Sequence, residues 1–537
     1  MFRSALICLA LALSAAAQAQ SYPTPTFQSV ITSADPRFYG AKCDGVTDDT
    51  TALQAWAAAT IDRAHLIVSG VCVFKAQIAF PPTVYGVTIE GNGHSGKLLY
   101  AGASTTLDPI IQIGAQGPVA CQANGWAIKG LHVVSSTVMT AGDGLRISDA
   151  CNMQIDDLTV GGNLDGGNKN LFNAVRITGG NSIYLRGYGF QGSNNGLVMS
   201  GDLDGSHPLI DPMLTNGYIV HGLVGLHICG NVGGLMADST DVLQNGTNVL
   251  IDQSCSAHNN GQLLFGAHFL SDVTAPSEYP AAPQIGVHVS DPGGYGLIII
   301  YRGWLASATN QCLTIDSMGP PTGLPPGPQL SIKGATIGNC HSSSSSVGAA
   351  INNQDTYYAV SVTGTSFFTS QASFPTIYNV AGAPPMSIQS IAPDSGFNIS
   401  GSWGGFYASS IGQLISADPS GAQASMLLDG SANVNGYSIR MTGNGVTTPR
   451  KWLRAQNGQF LISNDAGSPI VSVTDAGVLA TPASFTIATL PACTTPTRGA
   501  ITWVTNGQAS PPYLGAVSTT GSTIAPVFCN GSGWVYH

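Results

Sequence analysis

Charge is scarce in this chain. Asp, Glu, Lys and Arg make up 9% of its 537 residues, and of the 28 acids only Glu90 and Glu278 are glutamate. Any carboxylate pair arranged for acid–base work is therefore an Asp–Asp pair. The net charge of −10 argues against a nucleic-acid partner, because a phosphate backbone selects basic faces. Lys and Arg are missing altogether over 187–301, where eight aspartates and Glu278 stand. Beyond the first twenty residues no segment is long and apolar enough to span a bilayer, which excludes membrane insertion of the body of the chain.

The first twenty residues, MFRSALICLALALSAAAQAQ, read as a secretory signal peptide. Arg3 is the charged start, 5–17 is an apolar run, and Ala17-Gln18-Ala19 is a small-residue cleavage site. The expectation is an exported chain. With 43% apolar residues and 67 glycines, low charge is not a sign of disorder; it suits a β-rich protein whose surface is hydroxyls and amides. Removing Cys8 with the leader leaves ten cysteines of the eleven, an even number for an oxidising compartment.

A short strand pattern recurs: GLRISD at 144, AVRITG at 174, GLVMSG at 196, GLHICG at 225, NVLIDQ at 248, GVHVSD at 286 and CLTIDS at 312. The steps are 30, 22, 29, 23, 38 and 26 residues, and each unit alternates apolar with polar at period two. One such unit cannot bury its own apolar face, so neighbours must stack. Units of this size fit coils of a parallel β-helix better than propeller blades. Cysteine order suggests Cys43 with Cys72, Cys121 with Cys151, Cys229 with Cys255, Cys312 with Cys340 and Cys493 with Cys529. The first four separations are 29, 30, 26 and 28 residues, a second period like the first, although spacing alone leaves connectivity open.

In FYGAKCDGVTDDTTALQAW, from residue 38, Asp48 and Asp49 precede a segment whose Leu53, Trp56, Ala57 and Ile61 share one helical face. This predicts a helix with acidic N-terminal capping that covers the open end of the solenoid, rather than a metal loop. The stretch resembles the opening motif of the pectate-lyase-like right-handed β-helix superfamily, which includes pectinolytic enzymes and bacteriophage tailspikes. VTIEGNG at 87 resembles the coil that follows it, and GAHFLSDV, GVHVSDPGGYGL and RGWLASA resemble tailspike coils. PRKWLRAQNGQFLISNDAGSPIVSVTDAGVL and LPACTTPTRGAITWVTNG are similar to distal segments of phage tail fibres. The resemblance implies an all-β, right-handed parallel β-helix solenoid with C-terminal β-rich modules, a polysaccharide ligand and a homotrimer. A leader departs from that pattern, since virion proteins assemble in the cytoplasm, and it leaves a bacterial surface protein open. The expected organisation is signal peptide 1–20, lead-in 21–36, β-helix 37–385, β-rich region 396–482 and disulfide-stapled module 483–537.

Aligning the repeats puts Arg146, Arg176, His227 and His288 on equivalent outward positions, where they are candidates for substrate binding. Asp149, Asp202, Asp252, Asp291 and Asp316 fall at or just after strand ends. Asp202 and Asp252 lie two coils apart with His227 between them, about 10 Å by strand spacing, close to what an inverting glycosidase uses. They are the candidate acid and base, with His227 as orienter; the plain alternative is that strand-end Asp serves the turns. GDLDGSHPLID at 201 interrupts the repeat, offering Asp204 and His207 as further substrate contacts and oxygen ligands that calcium could use. The polygalacturonase pattern is not reproduced: Asp156-Asp157 occurs, but GNGHSG at 91 comes too early and no Arg-x-Lys follows. No Ser-His-Asp signature and no zinc-ligand spacing appears, so no firm metal or cofactor is implied. Uronate elimination wants cations, which 187–301 lacks unless calcium is bound, so a neutral or amino-sugar glycan is expected. The expectation is a glycan-binding, and conditionally glycan-hydrolysing, β-helix. A non-cutting adhesin, a phage structural component and a calcium-dependent lyase are the alternatives.

Overall fold

The computed structural model describes residues 35–537 apart from internal stretches, the longer of them 163–168, 203–206, 256–260, 273–283, 291–296, 318–329, 341–348, 369–376, 390–398 and most of 402–450. The leader and most of the lead-in lie outside the described residues. The chain divides into two compact units, Met1–Ala422 and Gln423–His537.

The first unit contains a right-handed parallel β-helix, a single sheet of 35 strands among the described residues. Seven of its strands form the wall that matters below: β1 (Asp143–Asp156), β2 (Asn173–Arg186), β3 (Asn195–Ser200), β4 (Val224–Ile228), β5 (Thr247–Ile251), β6 (Ile285–Val289) and β7 (Leu313–Ile315). Each pairs in parallel with the next. The period-two alternation decides which side chains go in. Leu145, Val175, Leu197, Leu226, Val249, Val287 and Leu313 stack in one inward row, and Ile147, Ile177, Met199, Ile228, Ile251, Val289 and Ile315 in another. All are buried, and each contributes about 1.5–3 kcal/mol by leaving water. Neighbours repeat at about 4.8 Å, so apolar faces too small to be stable singly make one continuous core.

β1 and β2 are long because they turn a corner of the coil without breaking the ladder. The bend in β1 is made by Asp149 (φ 49°) and Asn152 (φ 50°), both left-handed. Asp and Asn tolerate that region better than most residues with a side chain. At the start of β1, β2 and β3 a buried polar ladder climbs the wall: Asn173 Nδ2 donates to Asp143 Oδ1 at 2.9 Å, and Asn195 Nδ2 donates to Asn173 Oδ1 at 2.7 Å.

The end of the solenoid is covered by α1 (Thr50–Ala58), which buries Ala52, Leu53, Trp56 and Ala57. Two details differ from expectation. Ile61 is 44% exposed, because the helix stops at Ala58 before its face reaches that residue. Asp49 stands at the N-cap but makes no side-chain cap bond. Its carboxylate instead accepts from the amides of Lys42 at 2.6 Å and Cys43 at 3.1 Å, binding the preceding chain to the first coil. Asp48 takes up the capping role, accepting from the Thr50 amide at 3.1 Å.

All five cysteine pairs are joined: Cys43–Cys72, Cys121–Cys151, Cys229–Cys255, Cys312–Cys340 and Cys493–Cys529. The first four tie one coil to the next. Parallel pairing continues through Ser387–Gln389 and Ile399–Gly401, past the boundary at 385 suggested by the Pro-rich sequence there.

The second unit contains an antiparallel sheet of Tyr437–Met441, Lys451–Gln456, Gln459–Ser463, Pro469–Thr474 and Leu479–Ala480. A four-stranded sheet follows, Ser484–Phe485, Ile501–Gly507, Thr523–Cys529 and Trp534–Tyr536, with Val504, Ala525, Val527 and Tyr536 in its core. Among the described residues no helix is long and apolar enough to cross a membrane.

Candidate functional site

Strand register lines up one outward residue per coil along the wall: Arg146, Arg176, Val198, His227, Leu250, His288 and Thr314. From Arg146 to His288 this row climbs five coils, about 24 Å. Three groups of polar side chains occupy it and its border.

At one end the two arginines are already engaged. Arg146 Nε donates to Asp143 Oδ2 at 2.7 Å and its Nη2 also binds Asp108; Arg176 Nε donates to Asp143 Oδ2 at 2.9 Å. Asp143 is buried, and the arginine side chains are only 20% and 16% exposed. Burial lowers the affinity of the Arg146 guanidinium for its proton, but Asp108 and Asp143 more than reverse this, and the net shift is upward. Both cations are thus committed to one buried carboxylate, a poor arrangement for gripping substrate. Asp143 was not among the residues singled out from the sequence; its one signal is the i,i+3 spacing to Arg146 in DGLR.

In the middle, Asp149, Asp202 and His207 meet. His207 Nδ1 lies 2.9 Å from Asp202 Oδ2 and 3.4 Å from Asp149 Oδ1. Both carboxyls are at 0% exposure, and neither oxygen of Asp149 has a partner in good hydrogen-bond geometry, the Gly117 amide being only a weak neighbour. Burial, then the neighbouring Asp202 charge, pushes the Asp149 carboxyl up to about 6, against the pull of His207 and the Gly117 amide.

Further along, His227 Nε2 lies 3.0 Å from Asp252 Oδ1, and Ser254 donates to the same oxygen through its hydroxyl at 2.9 Å and its amide at 3.0 Å. Burial would raise the Asp252 pKa, but the His227 and Ser254 bonds outweigh it and hold the carboxyl below its ordinary value. Two coils on the motif returns: His288 Nε2 is 2.8 Å from Asp316 Oδ2, and Asp316 is lowered first by that bond. Ser254 Oγ, 3.3 Å away, and Asp252 both meet His227 at Nε2, whereas a relay needs them on opposite ring nitrogens, so Ser254, His227 and Asp252 are not a nucleophile relay.

The pairing expected between Asp202 and Asp252 is not what the fold brings together. Ile251 is in register with Ile228 and Met199, so Asp252 corresponds to Ser200, and Asp202 lies two residues further round the turn. The offset sends Asp202 inward to Asp149 and His207, while Asp252 stays beside His227. His227 therefore orients Asp252, and His207 plays that part for Asp202. Asp204 and Asp291 lie outside the described residues. A shallow pocket of about 220 Å³ lies elsewhere, around the Arg186–Asp156 ion pair and Tyr184, and includes none of these residues.

Fold and ladder define a right-handed parallel β-helix with a polar wall. No family model and no curated protein sequence matches the chain. Among solved structures it is similar to the ORF18 protein of Geobacillus virus E2, at 14% identity and TM-score 0.40, covering 87% of this chain and 81% of that one. It is also similar to tailspike protein 3 of bacteriophage CBA120, at 11% identity and TM-score 0.45, covering 81% and 69%. A third is the Family 28 exopolygalacturonase of Yersinia enterocolitica, at 10% identity and TM-score 0.42, covering 70% and 76%. Likenesses at this level concern the fold and say nothing of substrate.

Proposed function

We propose that this β-helix binds an extended polysaccharide, neutral or containing amino sugars, along the wall that carries His227 and His288. The observation that supports this is the register row itself: a His–Asp pair recurs two coils apart on one face along the coil axis, a pattern that suits a polymer better than a compact ligand. Asp252 and Asp316, held ionised and anchored by their histidines, are acceptors for sugar hydroxyls; charge-assisted bonds of this type are about twice as strong as neutral ones. With no Lys or Arg over 187–301 and both nearby arginines tied to Asp143, a uronate has no cation to meet. Export through residues 1–20 and assembly as a homotrimer belong to the same proposal.

Hydrolysis is the second reading. It is favoured by Asp252, an ionised carboxylate beside a histidine at the border of the row, although Asp202, the acid expected from the sequence, is turned away from it. Binding stands first because Asp202 is at 0% exposure, whereas a general acid must touch the leaving oxygen.

The test is incubation of the purified mature protein with a panel of bacterial and plant polysaccharides, reading retention, chain length and new ends together. Retention of one glycan without shortening supports the first reading. New reducing ends that disappear in Asp252→Asn move the function to hydrolysis. Unsaturated ends abolished by chelator would indicate elimination and sink both.

A further inference from the structure

The Asp149, Asp202 and His207 group is the most unusual feature of the wall, and glycan binding makes no use of it. Two carboxyls at 0% exposure face each other, and buried carboxylates are unfavourable unless positive charge or hydrogen bonds offset the loss of water. Neither oxygen of Asp149 has a partner in good hydrogen-bond geometry although the side chain is aimed at the other two residues. One donor atom from each of the three lies within 4.8 Å of the others. Buried polar atoms are nearly always satisfied, and an ion is one of the few explanations when they are not.

A second, independent feature keeps space between the carboxylates. Gly179 (φ 62°) sits on β2 beside them, and a Cβ there would lie 2.5 Å from Asp202 Oδ1 and 2.8 Å from Asp149 Oδ1. Any side chain at 179 would fill the place where the two oxygens converge.

We propose that Asp149, Asp202 and His207 form a structural site for a first-row divalent transition metal, with zinc the best match, which ties Asp202 and His207 to the corner of β1. One imidazole and two carboxylates are a zinc donor set, whereas calcium takes six to eight oxygens. Donors bound tetrahedrally at about 2.0–2.1 Å stand about 3.3–3.4 Å from one another. The 3.4 Å between His207 Nδ1 and Asp149 Oδ1 already has that length, and the 2.9 Å to Asp202 opens by a few tenths of an ångström. The donors come from the corner of β1 and from the insertion that follows β3, so the ion would join two segments far apart in sequence.

The mature chain, stripped with chelator, is titrated with zinc, manganese and calcium ions, with bound metal per chain and Tm measured after desalting. The expected result is one zinc per chain and a Tm raised by at least about 3 °C, with no response to calcium. Asp149→Asn and His207→Gln, each checked for an unchanged β-type circular dichroism spectrum, weaken zinc binding at least 100-fold, whereas His227→Gln keeps it. Stripped Asp149→Asn melts no lower than the stripped parent, because the substitution removes a buried carboxylate without changing its shape. Absence of zinc from the parent would overturn the proposal, as would zinc held equally by Asp149→Asn or a preference for calcium.

Discussion

His227 and Asp252 face each other across one step of the coil, Nε2 3.0 Å from Oδ1, and His288 and Asp316 repeat the relationship two coils later at 2.8 Å. Each histidine stands outward on one strand and each aspartate follows the next strand directly. The sheet register alone makes the pair, so the same strand sequence two coils on makes it again.

The pH dependence of stability follows from Asp252. Its folded pKa lies below the ordinary value of 3.8, so its contribution is complete above about pH 4 and is lost as pH falls through the folded pKa. Asp252→Asn is expected to cost about 1–2 kcal/mol at pH 7. The Tm gap between parent and variant should close below pH 4. A gap that stays constant from pH 7 to pH 2 contradicts the pairing.

Asp143→Ala is expected to be among the most damaging single changes in the wall. It strands Arg176, leaves Arg146 with Asp108 as its remaining carboxylate, and removes the acceptor of Asn173. The cost should be about 3–5 kcal/mol, seen as a lowered denaturant midpoint. Arg176→Gln should reduce stability and leave glycan affinity nearly unchanged. If affinity falls instead, Arg176 contacts substrate.

Removal of the Cys229–Cys255 bridge by the double change to serine releases a link of sequence separation 26 between successive coils. The loop-entropy relation gives a loss of about 3–4 kcal/mol. Thermal melting with and without reductant checks this, since reductant should lower the Tm of the parent more than that of the double variant.

His288→Ala should weaken retention on the glycan that the parent binds. A single hydrogen-bonding position is worth about 1 kcal/mol, or about fivefold in Kd. The paired change His227→Ala with His288→Ala should multiply the losses if both histidines serve one extended ligand, and quantitative affinity electrophoresis measures it.

What the sequence by itself determined is the periodic part of the protein. Period-two alternation decides which side chains turn inward, stacked coils bury those faces, and one residue per coil falls on each outward row. Arg146, Arg176, His227 and His288 were therefore readable as one line, and near-constant cysteine spacing pointed to the coil-to-coil bridges. Only the tertiary structure decided which partners those residues meet. Turns between coils differ in length, so a slip of two residues carries Asp202 from the border of the row into the wall, toward Asp149 and His207. Distance in sequence hides that group, since Asp149 comes from a strand corner and Asp202 and His207 from an insertion two coils later. Engagement of Arg146 and Arg176 by Asp143 was hidden for a related reason: a strand pattern says which way a side chain points, and only packing says what is waiting there.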